Sequence, residues 1–247
     1  MVLYGDYHTH TTYSDAKQSI MESAIVAQNK GLKQIAITDH GFNKLGGVKR
    51  KDIEKMRQEC NDAKQKTGVD VLLGIEANII SKEGDVDLTK QDLDNFDIII
   101  VGFHQIVKAK TVMDRLGFVI PNNLGIKTKK RIQQNTNALI RAIEKYPVDI
   151  ISHPGVGFPI DMQKVAEVAK KHGTKMEING KRIAYNKNDI KNLLKLGVEF
   201  IINSDAHSKN RVGSPNKAIN FIIKNKIPLE NICNYGKKPN FRSTKGE

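Results

Sequence analysis

A chain of 247 residues can bury a substantial core without disulfide or metal staples, and at this length an α/β barrel is usually one domain, read as residues 1–247. No apolar run approaches the ~20 residues of a membrane span and no hydrophobic signal region opens the sequence, so a transmembrane protein is excluded and a cytoplasmic location is expected. The formal net charge of +13 suits nucleic acid, an anionic surface or a phosphorylated small molecule, but the basic clusters at 49–51 and 127–131 lack the interleaved aromatics of a single-strand-binding groove.

In chain order, the apolar run Met1-Val2-Leu3-Tyr4 reads as a first strand, followed by Asp6-Tyr7-His8-Thr9-His10, where alternation points His8 and His10 the same way. Ser19 caps a helix that Gly31 ends. Gln34 to Thr38 is a second strand ending at Asp39-His40-Gly41, and a helix spans about Lys51 to Lys66. Val71 to Ile75 is a third strand ending at Glu76, and Asp97 to Gly102 a fourth ending near His104.

From Gln105 to Lys127 no helical or strand period is visible, and Pro121 and Gly125 punctuate the segment. Loops of this length are usually functional. Its apolar residues (Val112, Met113, Leu116, Phe118) and cations (Lys108, Lys110, Arg115) suit a lid that excludes water and meets phosphate. A helix from about Thr128 to Lys145 restores the rhythm. Strands five to seven are Asp149–Ser152, ending at His153; Thr174–Ile178; and Val198–Ile202, ending at Asp205-Ala206-His207. The tail after about Tyr235 reads as loose. Cys60 and Cys233, without paired spacing, read as free thiols.

Seven strands alternating with helices predict an α/β fold, a distorted seven-stranded (β/α)7 barrel of TIM-barrel type, with its active site at the C-terminal strand ends. Six of the seven histidines fall there: His8, His10, His40, His104, His153 and His207. So do Glu76 and Asp205, while Asp15 lies in the first βα loop. Imidazoles and carboxylates gathered at one end of a barrel describe a multinuclear metal site. His172, at a helix end, reads as a cap or a surface residue.

The motifs Asp6-x-His8-x-His10-Thr11-x-x-Ser14-Asp15, Thr38-Asp39-His40-Gly41, Gly74-Ile75-Glu76-Ala77-Asn78-Ile79, Gly102-Phe103-His104, Ser152-His153-Pro154-Gly155 and Ser204-Asp205-Ala206-His207 together resemble the polymerase and histidinol phosphatase (PHP) family, above all its stand-alone bacterial trinuclear-metal phosphatases. The resemblance runs from His8 to about Pro228. It implies three divalent metal ions: one on His8, His10, Glu76 and Asp205; a second bridged by Glu76 and completed by His104 and His153; a third on Asp15, His40 and His207. Some related phosphatases place a histidine near Asp15; an oxygen ligand there suits Mn²⁺ or Fe²⁺ as well as Zn²⁺.

The implied activity is hydrolysis of a phosphomonoester of a small metabolite by hydroxide shared between ions, with Glu76, Asp205 and His207 at its heart. Arg182, Arg211 and Lys108 are candidate phosphate contacts. Glu177 and Asn179 read as supports of the ligands, and Asp6 as a partner for a ligand imidazole or simply a polar strand end. The alternative is a phosphodiesterase or 3'-5' exonuclease acting on nucleotides or single-stranded nucleic acid; no membrane partner is expected.

Overall fold

The computed structural model describes residues 2–242. Seven strands form one sheet in the order β1-β2-β3-β4-β5-β6-β7: β1 (Gly5–Thr9), β2 (Gln34–Ile37), β3 (Asp70–Asn78), β4 (Ile98–Gly102), β5 (Ile150–Ile151), β6 (Lys175–Asn179) and β7 (Phe200–Asn203). Every neighbouring pair is parallel, and helical segments occupy the crossovers. These are α1 (Ile20–Asn29), α2 (Ile53–Thr67), α3 (Lys90–Leu93), α4 (Val112–Asp114), α5 (Ile120–Asn123), α6 (Lys129–Lys145), α7 (Met162–His172), α8 (Lys187–Leu196) and α9 (Asn216–Asn225). The predicted seven-stranded TIM-like barrel is what the chain forms.

Alternation along β4 divides the core. Ile98 and Ile100 join Tyr7, Ala36, Ile150, Ile201 and Cys233 inside the barrel, while Ile99 and Val101 pack outward under the helices. Gly74 belongs to the tight interior layer, because a Cβ there would lie 2.4 Å from the side chain of Ile98. Two residues along, Glu76 pairs with Ile100 and replaces that apolar filling with a charge.

The first strand lies later than the apolar run suggested. Leu3 makes only an isolated bridge to Tyr235, and β1 holds Asp6 and His8 because their polar groups find buried partners. Its pairing with β2 shifts between Asp6 and Thr9; the extra residue lets Tyr7 fill the barrel floor and His8 the layer above it. The seam between β1 and β7 is closed largely by side chains. Asn203 Oδ1 accepts from the Tyr7 amide at 2.9 Å, and Asn234 bonds Gly5 and both backbone groups of Ile202. Asp6 accepts from the amides of Ser204 and Gly213 and from the Ser204 hydroxyl. Asp6 thus ties the two strands together and does not orient an imidazole.

The segment after β4 corrects the expectation of an aperiodic stretch. From Val112 to Asn123 it is helical, with a π turn over Arg115–Val119 between α4 and α5. The π turn shifts the side-chain period, and Gly117 with Pro121 masks what remains. Phe118 is buried against Phe103 and Phe158, Asn122 exchanges hydrogen bonds with Asn135, and Arg131 donates to the Gly117 carbonyl. Val112, Met113 and Leu116 remain exposed.

The tail is also more ordered than its polarity implied. Phe241 packs edge-on against Tyr7 at 5.0 Å between ring centres, and the Arg242 guanidinium reaches the Ile143 carbonyl; residues 243–247 lie outside the described residues. Cys60 and Cys233 are free and buried, and burial pushes both thiols up to about 12, which makes them poor nucleophiles. Among the described residues no helix is long and apolar enough to cross a membrane.

Replacing Asp6 with alanine leaves three buried donors at the seam without an acceptor. The expected outcome is a loss of about 3 kcal/mol of stability, read as a lowered denaturant midpoint at constant slope. An unchanged midpoint would mean that the seam does not depend on Asp6.

Candidate metal centre

The upper layer of the barrel is polar because each strand ends in a side chain aimed at its axis. Glu76, on β3, is fully buried, and neither of its oxygens has a well-aligned hydrogen-bond donor. Imidazole nitrogens surround it instead: His8 Nε2, His104 Nε2 and His153 Nε2 each lie 3.2 Å from Oε1, and His40 Nδ1 lies 2.9 Å from Oε2. His10 Nε2 stands 3.6 Å from Oε2 and equally far from Asp205 Oδ1. Asp15 closes the remaining side, 3.4 Å from His40 and 3.3 Å from His207. All nine residues singled out as ligands from the sequence meet in one cluster.

A second ring of groups sets the imidazoles. His8 Nδ1 lies 2.8 Å from Glu177 Oε1, His104 Nδ1 2.7 Å from Asn78 Oδ1, and His207 Nδ1 3.1 Å from the Asp205 carbonyl. The Glu177 and Asn78 acceptors favour a proton on Nδ1 and turn Nε2 of His8 and His104 toward the centre. Glu177 also accepts from the His153 amide and from Asn179 and Asn203, so it supports ligands, although its place at a strand end resembles that of a ligand. Asp39, buried behind His40, accepts from the Thr11 amide and hydroxyl and from Ser14, which folds the first loop so that Asp15 returns to the cluster. His153 and Asp205 both have left-handed backbones, at φ 29° and 52°. Such conformations in non-glycine residues cost about 1–3 kcal/mol and gather at functional sites.

The donor set fits metal ions. Three overlapping groups bring ligand atoms within 4.8 Å of one another: His8, His10 and Glu76; His40, Glu76 and His104; and His10, Asp15, His40 and His207. Imidazole nitrogens crowd pairwise, at 3.1 Å between the Nε2 atoms of His8 and His10 and 3.3 Å between those of His104 and His153. Among the described residues, four of the eight buried side-chain atoms without a hydrogen-bond partner (His10 Nδ1, His40 Nδ1 and both Glu76 oxygens) belong to the cluster. Burial raises the Glu76 carboxyl, but the imidazoles of His104 and His8 hold it well below its ordinary range. Asp205 is likewise held low against burial, by His8 and His10. Burial lowers His8, but Glu76 and Glu177 drive it well above the usual imidazole value, whereas burial takes His104 down to about 4.

The proposed phosphate contacts fall outside this geometry. Arg182 and Lys108 are exposed, and among the described residues neither side chain pairs with a member of the cluster. The Arg211 guanidinium donates to the carbonyls of Gly180 and Ser204, linking the loops after β6 and β7. Two other cations do reach the cluster. Lys44 Nζ lies 3.0 Å from Asp15 Oδ2, and Lys181 Nζ lies 3.4 Å from His207 Nδ1 and 4.0 Å from Asp205 Oδ1. Sequence reasoning passed over both; the available signal was their position, Lys44 a few residues beyond Asp39-His40-Gly41 and Lys181 two residues beyond the end of β6. His172 is the last residue of α7 and lies outside the cluster; the helix is capped by left-handed Gly173.

The chain matches the PHP domain family over residues 6–236. A protein of Shewanella loihica named probable phosphatase is 33% identical over 243 residues, spanning 94% of this chain and 90% of that protein. A probable phosphatase of Caldanaerobacter subterraneus is 32% identical over 239 residues, spanning 93% and 86%. Among solved structures, histidinol phosphate phosphatase from Lactococcus lactis, complexed with zinc, L-histidinol and phosphate, superposes with a TM-score of 0.64 over 98% of both chains at 15% identity. At that identity the likeness is one of fold.

Because His8 is pushed above the usual imidazole value, it keeps its proton as pH rises through the range where an ordinary histidine loses one. Metal binding must displace that proton, so Zn²⁺ or Mn²⁺ binding near neutral pH is expected to release protons and to weaken as pH falls from 8 to 6. Calorimetry in buffers of different ionisation enthalpy measures both, and pH-independent binding without proton release would contradict this electrostatic arrangement.

Proposed function

We propose that this chain, which belongs to the PHP domain family and is a metal-dependent phosphoric ester hydrolase, removes the phosphoryl group from a phosphomonoester of a small metabolite. The observation that carries the reading is the cluster itself: six imidazoles and three carboxylates converging on Glu76 at the open end of the barrel. No serine or cysteine nucleophile stands among them. Ser14 is bonded to Asp39 and Ser152 to the Val101 carbonyl, and both thiols are buried away from reactivity.

We read three ions into this donor set, held by His8, His10, Glu76 and Asp205; by Glu76, His104 and His153; and by Asp15, His40 and His207. Nitrogen and oxygen donors together suit Zn²⁺, Mn²⁺ or Fe²⁺. When bound, such ions supply Lewis acidity to phosphoryl oxygens and activate water as the nucleophile. The protein's part is to hold the ligands in place. Glu177 and Asn78 orient the imidazoles of His8 and His104, the Asp205 carbonyl lies against that of His207, and Asp39 fixes the approach of Asp15. Asp15 and His207 face outward, where a substrate enters, while His8, His10 and Glu76 stay dry. The net charge of +13 favours a second reading, a phosphodiesterase or exonuclease.

A panel of monoester, diester and single-stranded oligonucleotide with added Mn²⁺ or Zn²⁺ separates these readings, with fastest turnover expected on the monoester. Preferred cleavage of the oligonucleotide would replace the first reading with the second. Elemental analysis of reconstituted protein should find more than one metal equivalent per chain; one or none would sink the multinuclear centre. Glu76→Gln should lose more metal than His40→Ala and drop turnover by several orders of magnitude. Full occupancy with near-normal turnover in Glu76→Gln would refute the central role of that carboxylate.

A further inference from the structure

Exposure across the cluster is graded. The side chains of His8, His10 and Glu76 are 0% exposed, whereas His207 reaches 24% and Asp15 40%. The centre therefore opens along the Asp15–His207 edge, and Lys44 and Lys181 stand on that edge. Lys44 touches Asp15 on one side and Lys181 touches His207 and Asp205 on the other.

Neither lysine hangs on a loose loop. The backbone carrying Lys44 is fixed by hydrogen bonds from Lys44 to Gly41, from Gly47 to Lys44, from Val48 to His40 and from Lys108 to Asn43. Asp87 adds an acceptor for the Asn43 amide. Lys181 follows a turn in which Asn179 Oδ1 accepts from the amides of Lys181 and Arg182. That turn needs Gly180, because a Cβ there would sit 2.9 Å from the Asn203 carbonyl and from Pro215. Two cations are thus delivered by independent loops to the same opening.

Asp15 and Asp205 are themselves proposed ligands. Once their oxygens go to a divalent ion, both ammonium groups lose much of their present counter-charge while their backbones stay where they are. The complementary partner is an anion with more than one free charged oxygen, entering over Asp15 and His207. A phosphate monoester is a dianion with three unshared oxygens; a diester is a monoanion with two, and its second ester arm occupies the space beside one of the lysines.

We propose that Lys44 and Lys181 clamp the unshared oxygens of a phosphate monoester, and that this pair gives the centre its preference for monoesters over diesters. The proposal deepens the phosphatase reading above and rests on it. The lysines bind substrate; the metal ligands carry the chemistry.

The test uses Mn²⁺-reconstituted protein with Lys44→Met, Lys181→Met and the double variant, and with Lys44→Arg and Lys181→Arg as charge-preserving controls. Three quantities are read: inorganic phosphate affinity by calorimetry, metal content, and kcat/KM on p-nitrophenyl phosphate against bis(p-nitrophenyl) phosphate. Each methionine variant is expected to weaken phosphate binding about tenfold and to raise monoester KM more than it lowers kcat. Diester turnover should change little, metal content should hold, and the arginine variants should recover most of the loss. Unchanged phosphate affinity and an unchanged monoester-to-diester ratio would overturn the clamp. Loss of metal with the ratio preserved would also overturn it, making the lysines counter-ions of the ligands. If the wild type turned over neither ester, the phosphatase reading would fail, and the calorimetric comparison would still decide whether these lysines hold phosphate.

Discussion

The structure is organised around one costly object, the carboxylate of Glu76 inside a parallel barrel. An isolated buried charge is strongly unfavourable, and a backbone engaged in a sheet has no spare donors to meet it. The chain meets it with imidazoles from four other strand ends, those of β1, β2, β4 and β5, each within 3.2 Å of a Glu76 oxygen. Every one of those imidazoles then needs its own position. For His8 and His104 the acceptors that supply it, Glu177 and Asn78, come again from strands, and the Asp205 carbonyl, just past β7, meets His207. The polar layer is therefore a closed chain of dependencies, and its requirements run round the whole barrel.

Such a layer contributes little by hydrophobic burial, so the fold draws its stability from elsewhere. The floor is apolar, with Tyr7, Ile98, Ile100, Ile150 and Ile201 in contact, and the sheet's outer face is sealed by helices. β5 is two residues long, yet its position is well determined, since Ile150 and Ile151 pair with both neighbours and Asp149 Oδ2 accepts from the Ile99 amide. The β1–β7 seam has the fewest backbone bonds, and there the chain uses Asp6, Asn203 and Asn234 as substitutes. Side chains close the barrel where strand pairing leaves off.

Much of this was legible in the sequence, for a physical reason. Parallel strands buried on both faces read as apolar runs, so a histidine or acid that ends such a run is conspicuous, and six histidines did so together. What stayed hidden depends on partners far along the chain. Asp6 looks like a polar strand end until Ser204 and Gly213 are seen against it. Lys44 and Lys181 are two lysines in a chain with 40 basic residues, and only the folded loops separate them from Arg182 and Lys108. The helix over 112–123 escaped because a π turn, a glycine and a proline erase the 3.6-residue period.

The separation between deep and outer halves of the cluster has a further consequence. In the deep half, His8, His10 and Glu76 are supported by strands and by Glu177, with no exposed surface. In the outer half, Asp15 sits on a loop, and its contacts are to His40, His207 and Lys44. Two further proposed ligands just past strand ends, His153 and Asp205, carry left-handed backbones. The loop of Asp15 is itself tied down, since Asp39 accepts from the Thr11 amide and hydroxyl and from Ser14. The barrel therefore combines a dry interior that sets the charge of the centre with a partly exposed edge completed by an anchored loop, and Lys44 and Lys181 stand on that edge.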